Sequence, residues 1–379
     1  MARSDLHGYV ESLRLVDHHC HGVVRRDLDL AGFEARLTEA PSAGPLGGSL
    51  FDSNLGFAVR RWCAPVLDLP PHAPPREYVA RRAELGAGEV NRRFLTAARL
   101  AAMCVDTGYA PEPILTPAEL GAAAGATPYE VVRLEQVAEQ VAEQNGSASG
   151  FAAAVHDLLS ARASTAVAVK TIAAYRVGLD LAAARPTDRE VTAAADRLLR
   201  GTPIRVADEV LHRFLIWTAV DLGCPVQVHV GYGDRDIDLR GANPLLLAPL
   251  LRAIGPYGVP VMLLHNYPFH REAGYLAQVF EGVFVDVGLA LHAVGHRAPA
   301  LLAEALELTP FGKFLFSTDA YGLPELFHLG AVLFRRALSD VLLAGLADDA
   351  WCDADAVRIA EMAGAGNARR VYRLPELGE

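Results

Sequence analysis

An α/β fold, a closed (β/α)₈ TIM barrel with a helical cap inserted after strand one, is what this sequence predicts. Eight short apolar runs recur along the chain with helical patterns between them, the signature of βαβ units and a parallel sheet. The runs are continuously apolar rather than alternating, as strands covered on both faces must be. The chain has 379 residues, whereas such a barrel needs about 250. The surplus therefore goes into insertions within a single domain spanning 1–379. A composition of 51% hydrophobic and 21% charged residues supplies an ample core.

In chain order the predicted strands are 15–16, 101–105, 131–134, 166–169, 226–230, 259–264, 283–287 and 314–316. The large insertion runs from 22 to 100, between the first two strands. Its Pro- and Gly-rich pieces at 41–48 and 65–75 flank helical stretches such as 80–85, so it reads as a helical cap over the barrel mouth. A second insertion, 146–163, reads as a helix ahead of the fourth strand.

A formal net charge of -10 argues against nucleic acid or an anionic membrane as partner. Cys20, Cys63, Cys104, Cys224 and Cys352 are scattered and odd in number, which fits a reducing cytoplasm better than a disulfide framework. Residues 1–5 lack the apolar run of a signal peptide, and no apolar stretch is long enough to span a bilayer.

The chemistry concentrates at Val16-Asp17-His18-His19-Cys20-His21. Residues two apart on a strand share a face. Asp17, His19 and His21 should therefore point one way, and His18 and Cys20 the other. Two imidazoles on one face can grip a divalent ion. In a barrel of this type the site is built at the C-terminal strand ends, and those ends carry Lys170 (strand four), His229 (five), His265 (six) and Asp319 (eight). Each has a plain alternative: a structural histidine, an ion-paired lysine, an aspartate capping the next helix. All of these would have to hold at once. Tyr175 and Arg176, following Lys170, are candidates for an anionic substrate group, since guanidinium donates two hydrogen bonds to a carboxylate. Asp234 to Asp236 read as a binding loop or a charged turn, and Glu135 as a residue facing the mouth. His270 is expected to be solvated, and His292, His296 and His328 to lie on the surface.

The pattern His-x-His, Lys, His, His, Asp on successive strands resembles the amidohydrolase superfamily. The phrases Val169-Lys170-Thr171-Ile172-Ala173-Ala174-Tyr175-Arg176, His229-Val230-Gly231-Tyr232-Gly233-Asp234, Thr318-Asp319-Ala320 and Asn367-Ala368-Arg369-Arg370-Val371-Tyr372 resemble its amidohydrolase-2 branch. They are most similar to the amidohydrolase-like half of FluG-type and nodulin/glutamine-synthetase-like proteins. The glutamine-synthetase half is absent here. The resemblance implies a divalent metal, zinc first with manganese or iron as alternatives, held by His19, His21, His229 and Asp319. It implies one ion with unmodified Lys170, or two if Lys170 is carbamylated. Asp319 would shuttle protons and His265 would polarise a carbonyl. The implied activity is hydrolysis of a small carboxylate-bearing amide such as a γ-glutamyl compound. The rivals are a metal-dependent decarboxylase of an aromatic or unsaturated acid and an inactive metal-binding regulator. The expected partner is a small-molecule substrate, with no nucleic acid or membrane and with homo-oligomerisation left open.

Overall fold

The computed structural model describes residues 3–42, 47–144 and 146–375. Positions 43–46 of the expected Pro- and Gly-rich piece lie outside the described residues. The strands β1 (Leu15–Cys20), β2 (Leu100–Asp106), β3 (Thr127–Arg133), β4 (Ala168–Thr171), β5 (Val226–Val230), β6 (Val261–His265) and β7 (Val283–Val285) form one sheet. They pair in chain order, each parallel to the next.

The eighth run, 314–316, touches β7 through a single bridge, Val285 to Phe314, rather than forming a regular strand. It still closes the barrel. Leu315 N donates to Val285 O (2.9 Å) on one side. On the other, His18 N donates to Phe316 O (3.0 Å) and Asp319 N to His19 O (2.9 Å). The ladder breaks because the Thr318 N–H donates to the Asp17 carboxylate (3.0 Å) instead of to a backbone carbonyl.

Inside the barrel, Val16, Ala102, Cys104, Val131, Ala168, Met262, Leu264 and Leu315 make one apolar cluster. Val371 and Tyr372 of the helix Asn367–Tyr372 join it and close the floor beneath the site. The expected helix at 146–163 forms as Ala148–Ala163. Within the inserted segment 22–100, the helix Ala87–Ala98 packs against Pro117–Ala124 and Pro324–Ala347, so it belongs to the outer ring of barrel helices. Among the described residues of this segment, it is the earlier part, at Ala35 to Glu39 and at Ser53 and Leu55, that borders the mouth. No helix among the described residues is long and apolar enough to cross a membrane.

Strand β1 departs from simple alternation. Its register against β2 shifts between Asp17 and Cys20, and a bulge of this kind re-aims side chains. His18 and His19 therefore both reach the interior. Asp17 turns outward and accepts from the Thr318 hydroxyl (2.6 Å), against the helix that carries Gly330. The expectation of Asp17, His19 and His21 on one face is corrected accordingly: the interior set is His18, His19 and His21.

The helix Pro75–Leu85 is tied to Pro324–Ala347 by a buried pair. Arg82 Nε donates to Glu325 Oε1 at 2.6 Å, and Tyr78 OH donates to the same oxygen at 2.9 Å. Removing one partner of a buried pair strands the other charge, at a cost of about 3–5 kcal/mol. Arg82→Met should therefore destabilise by that amount in urea unfolding, and adding Glu325→Leu should recover most of the loss.

Candidate metal centre

The protonation of His19 follows from one side chain. Gln227 Nε2 donates to the His18 carbonyl (2.8 Å), which can only accept, so the amide orientation is fixed. Gln227 Oε1 then faces His19 Nδ1 at 2.8 Å, and that nitrogen must carry the proton. His21 Nδ1 lies 3.2 Å from the Asp106 carbonyl and must likewise donate. In the neutral ring a proton on Nδ1 leaves Nε2 bare, and both imidazoles turn that atom toward the barrel centre. Both face Asp319 Oδ1, at 3.0 Å from His19 and 3.4 Å from His21. Three electron-pair donors this close repel one another unless a cation lies among them.

The rest of the scaffold is equally specific. Gln227 Nε2 also donates to Tyr372 OH (2.8 Å). Tyr372 OH lies 2.8 Å from His18 Nδ1, and His18 Nε2 lies 2.8 Å from Asp286 Oδ2. Asp286 Oδ1 accepts from the backbone N–H of His265 and of Gly288, both at 2.8 Å. One buried chain of polar groups therefore links the tautomer of His19 to the backbone position of His265. Outer partners of this kind orient metal-binding histidines.

The donor set fits a divalent ion. Ligand atoms of His19, His265 and Asp319 lie within 4.8 Å of one another, as do those of His19, His21 and Asp106. His229 belongs to neither group. Its ring lies 4.6 Å from that of His265 and 4.5 Å from that of Tyr175. His229 Nε2 and both ring nitrogens of His265 are buried without a hydrogen-bond partner, which is costly for polar atoms unless something binds them. Burial, reinforced by Lys170, pushes His19 down to about 3. Burial also holds His229 well below the usual histidine range and lowers His265, so these rings stay neutral and able to bind metal. Burial alone would raise Asp319, but His265, whose Nδ1 lies 3.6 Å from Oδ2, outweighs it and holds the carboxyl well below the usual range. Non-glycine residues rarely adopt left-handed backbone, yet His265 (φ 70°), Asn266 (φ 58°) and Asp319 (φ 50°) all do.

Lys170 Nζ sits 2.8 Å from His19 Nε2 and 3.4 Å from Asp106 Oδ2. Asp106 also accepts from Arg133 at 2.6 Å. Burial lowers the Lys170 pKa, opposed by Asp106 and Asp319.

A cavity of about 690 Å³ opens above these groups, lined among others by His21, Lys170, Tyr175, Arg176, His229 and Asp319. Asp234 and Asp236 also border it. Several expectations are corrected. His292 is not on the surface: it lines the cavity, and its Nε2 lies 3.1 Å from the Thr318 carbonyl. His328 is buried beside Phe94. His270 is buried, its Nε2 lying 2.9 Å from Glu304. Glu135 turns away from the mouth and accepts from the Ile172 N–H (2.9 Å) and the Thr171 hydroxyl. Asp319 does not cap a helix, since the next one begins at Pro324. Reading strand ends two and seven in the same way would have found Asp106 and Asp286. Gln227 and His18 carry no such signal, because their roles depend on the bulge and on partners far away in sequence.

The barrel and its cluster of neutral histidines and carboxylates define a metal-dependent enzyme of the (β/α)₈ class. The model of the family described as Amidohydrolase matches residues 117–374, and the chain belongs to that family. Protein FluG of Emericella nidulans is 34% identical over 248 residues, which cover 60% of this chain and 27% of FluG. The chain thus spans about a quarter of that relative's length. A Lactobacillus casei ATCC 334 protein, described provisionally as a metal-dependent hydrolase, superposes with a TM-score of 0.86 at 28% identity, covering 97% of each chain. Uronate isomerase of Thermotoga maritima shares the fold, with a TM-score of 0.64 at 12% identity over 98% of this chain and 97% of that one.

The protein as purified should contain a divalent metal, and elemental analysis of the His19→Ala/His21→Ala double variant should find it lost from a folded barrel. Gln227→Leu should keep the fold but release the His19 ring. Loss of such an outer partner typically weakens metal affinity about 10–100-fold, measurable by competition with a chelator.

Proposed function

We propose that this chain is a metal-dependent hydrolase of a small carboxylate-bearing amide, with a γ-glutamyl compound as the leading substrate class. The observation that carries this reading is the convergence of the unprotonated Nε2 atoms of His19 and His21 on Asp319 at 3.0 and 3.4 Å. His19, His21, His229 and Asp319 hold one divalent ion, zinc in the first instance. Such an ion supplies Lewis-acid polarisation and makes water acidic enough to attack near neutral pH.

The remaining work falls to the side chains. Asp319 takes the proton of the attacking water and returns it to the leaving nitrogen. Its second oxygen, 3.6 Å from His265 Nδ1, keeps that histidine within reach of the reacting carbonyl, which His265 polarises. Lys170 stays an ammonium and orients substrate. Asp106 supports that state: a carbamate on Lys170 would add negative charge beside a carboxylate only 3.4 Å away. Tyr175 and Arg176 border the cavity and bind the substrate's anionic group. The likeness to proteins in which this barrel is joined to a glutamine-synthetase half supports the γ-glutamyl assignment.

Screening the metal-loaded enzyme against γ-glutamyl amides, N-acyl amino acids and aromatic acids tests the reading. Release of amine with consumption of water is expected. Release of carbon dioxide without it would make the enzyme a decarboxylase instead. Asp319→Asn should lower kcat at least 10²–10⁴-fold, the usual contribution of general acid–base catalysis, while circular dichroism stays unchanged, since Asn tolerates the left-handed backbone. His229→Ala should lose metal affinity. His265→Ala should retain metal and lose turnover, and the opposite pairing would exchange their roles.

A further inference from the structure

The cavity wall carries a charge imbalance that the metal centre does not use. Four arginines line it: Arg36, Arg133, Arg176 and Arg205. Arg36 is paired with Glu112, and Arg133 with Asp106. Among the described residues, neither Arg176 nor Arg205 has a carboxylate within ion-pair distance, and Arg176 Nε is buried with no hydrogen-bond partner. Burial first, and the charge of Arg205 second, lower the Arg176 pKa. Glu139 acts on both guanidiniums through its charge, but its hydrogen bond goes to the Val206 N–H (2.9 Å). That bond fixes the backbone next to Arg205.

The acids of the cavity lie apart from this pair. Of the acids that line the cavity, Glu39, Asp234, Asp236 and Asp319, none is ion-paired with Arg176 or Arg205. Two guanidiniums that line one cavity without an ion-pair partner offer donors to an anion. Planar guanidinium matches carboxylate oxygens in pairs, and a cavity of about 690 Å³ has room for a two-ended small molecule.

We infer that Arg205 and Arg176 together form a carboxylate subsite remote from the metal centre, making Arg205 a specificity-determining residue. The inference rests on the reading of this cavity as one that takes a carboxylate-bearing substrate, and it narrows that class to molecules whose carboxylate stands away from the bond being broken.

Glutarate is the probe, with uncharged glutaramide as its control, titrated calorimetrically into metal-loaded wild type, Arg205→Gln and Arg176→Gln. Arg205 is exposed, so its replacement leaves the fold intact. Each variant should bind glutarate at least tenfold more weakly than wild type, and the loss should persist after the metal is stripped with chelator. Arg205→Lys should recover part of the affinity, and glutaramide should not distinguish the proteins. Equal glutarate affinity in wild type and both variants would overturn the subsite, as would a loss that vanishes with the metal. Weakened glutarate binding in an enzyme that hydrolyses no amide would retain the subsite and refute the hydrolase instead.

Discussion

A single buried amide governs the centre of this molecule. Gln227 must donate to the His18 carbonyl, and that obligation decides which His19 nitrogen carries a proton. With the proton on Nδ1, the lone pair on Nε2 faces the Asp319 carboxylate. His19 cannot turn away without abandoning Gln227, and the Asp319 backbone is held in place by its N–H on the His19 carbonyl. The repulsion is therefore built in, and a cation is the natural way to relieve it. The Lys170 ammonium, 2.8 Å from His19 Nε2, supplies part of that charge. Occupation of the centre by an ion would leave Lys170 to Asp106, which is already placed to receive it.

The chain from Gln227 through Tyr372 and His18 to Asp286 joins four separated regions of sequence. Its members are fully satisfied, unlike the bare nitrogens of His229 and His265. That contrast divides the interior in two. Below lies a rigid polar frame whose bonds are complete, and above it lies a layer whose bonds await a ligand. Networks of the first kind stiffen a core, whereas incomplete ones are costly.

Much of this was legible in the residues. The continuous apolar runs located seven of the strands, and the ligand-type residues at their ends assembled a site from segments as distant as His19 and Asp319. Three things were not legible. The eighth strand dissolved because Asp17 captured the Thr318 N–H, an interaction across 301 positions that no local pattern records. Alternation failed at β1 because a bulge adds a residue without any compositional mark, which placed His18 inside and Asp17 outside. His292, His270 and His328 were misread as solvated because polarity is a poor guide to exposure when a partner waits in the fold, as Glu304 does for His270.

The left-handed backbone at His265, Asn266 and Asp319 reaches beyond mechanism. Each such conformation in a non-glycine residue costs on the order of 1–3 kcal/mol, a considerable sum beside the 5–15 kcal/mol by which domains are usually stable. Together with unpartnered nitrogens, it makes the reactive layer the least comfortable part of the barrel. Selection for thermal robustness alone would drift toward glycine at these turns and apolar residues at the strand ends, yielding barrels that endure heat and do nothing. Directed evolution of this scaffold must therefore score turnover or metal retention alongside melting temperature, because stability gained at the strand ends erodes the very constellation that makes the fold useful.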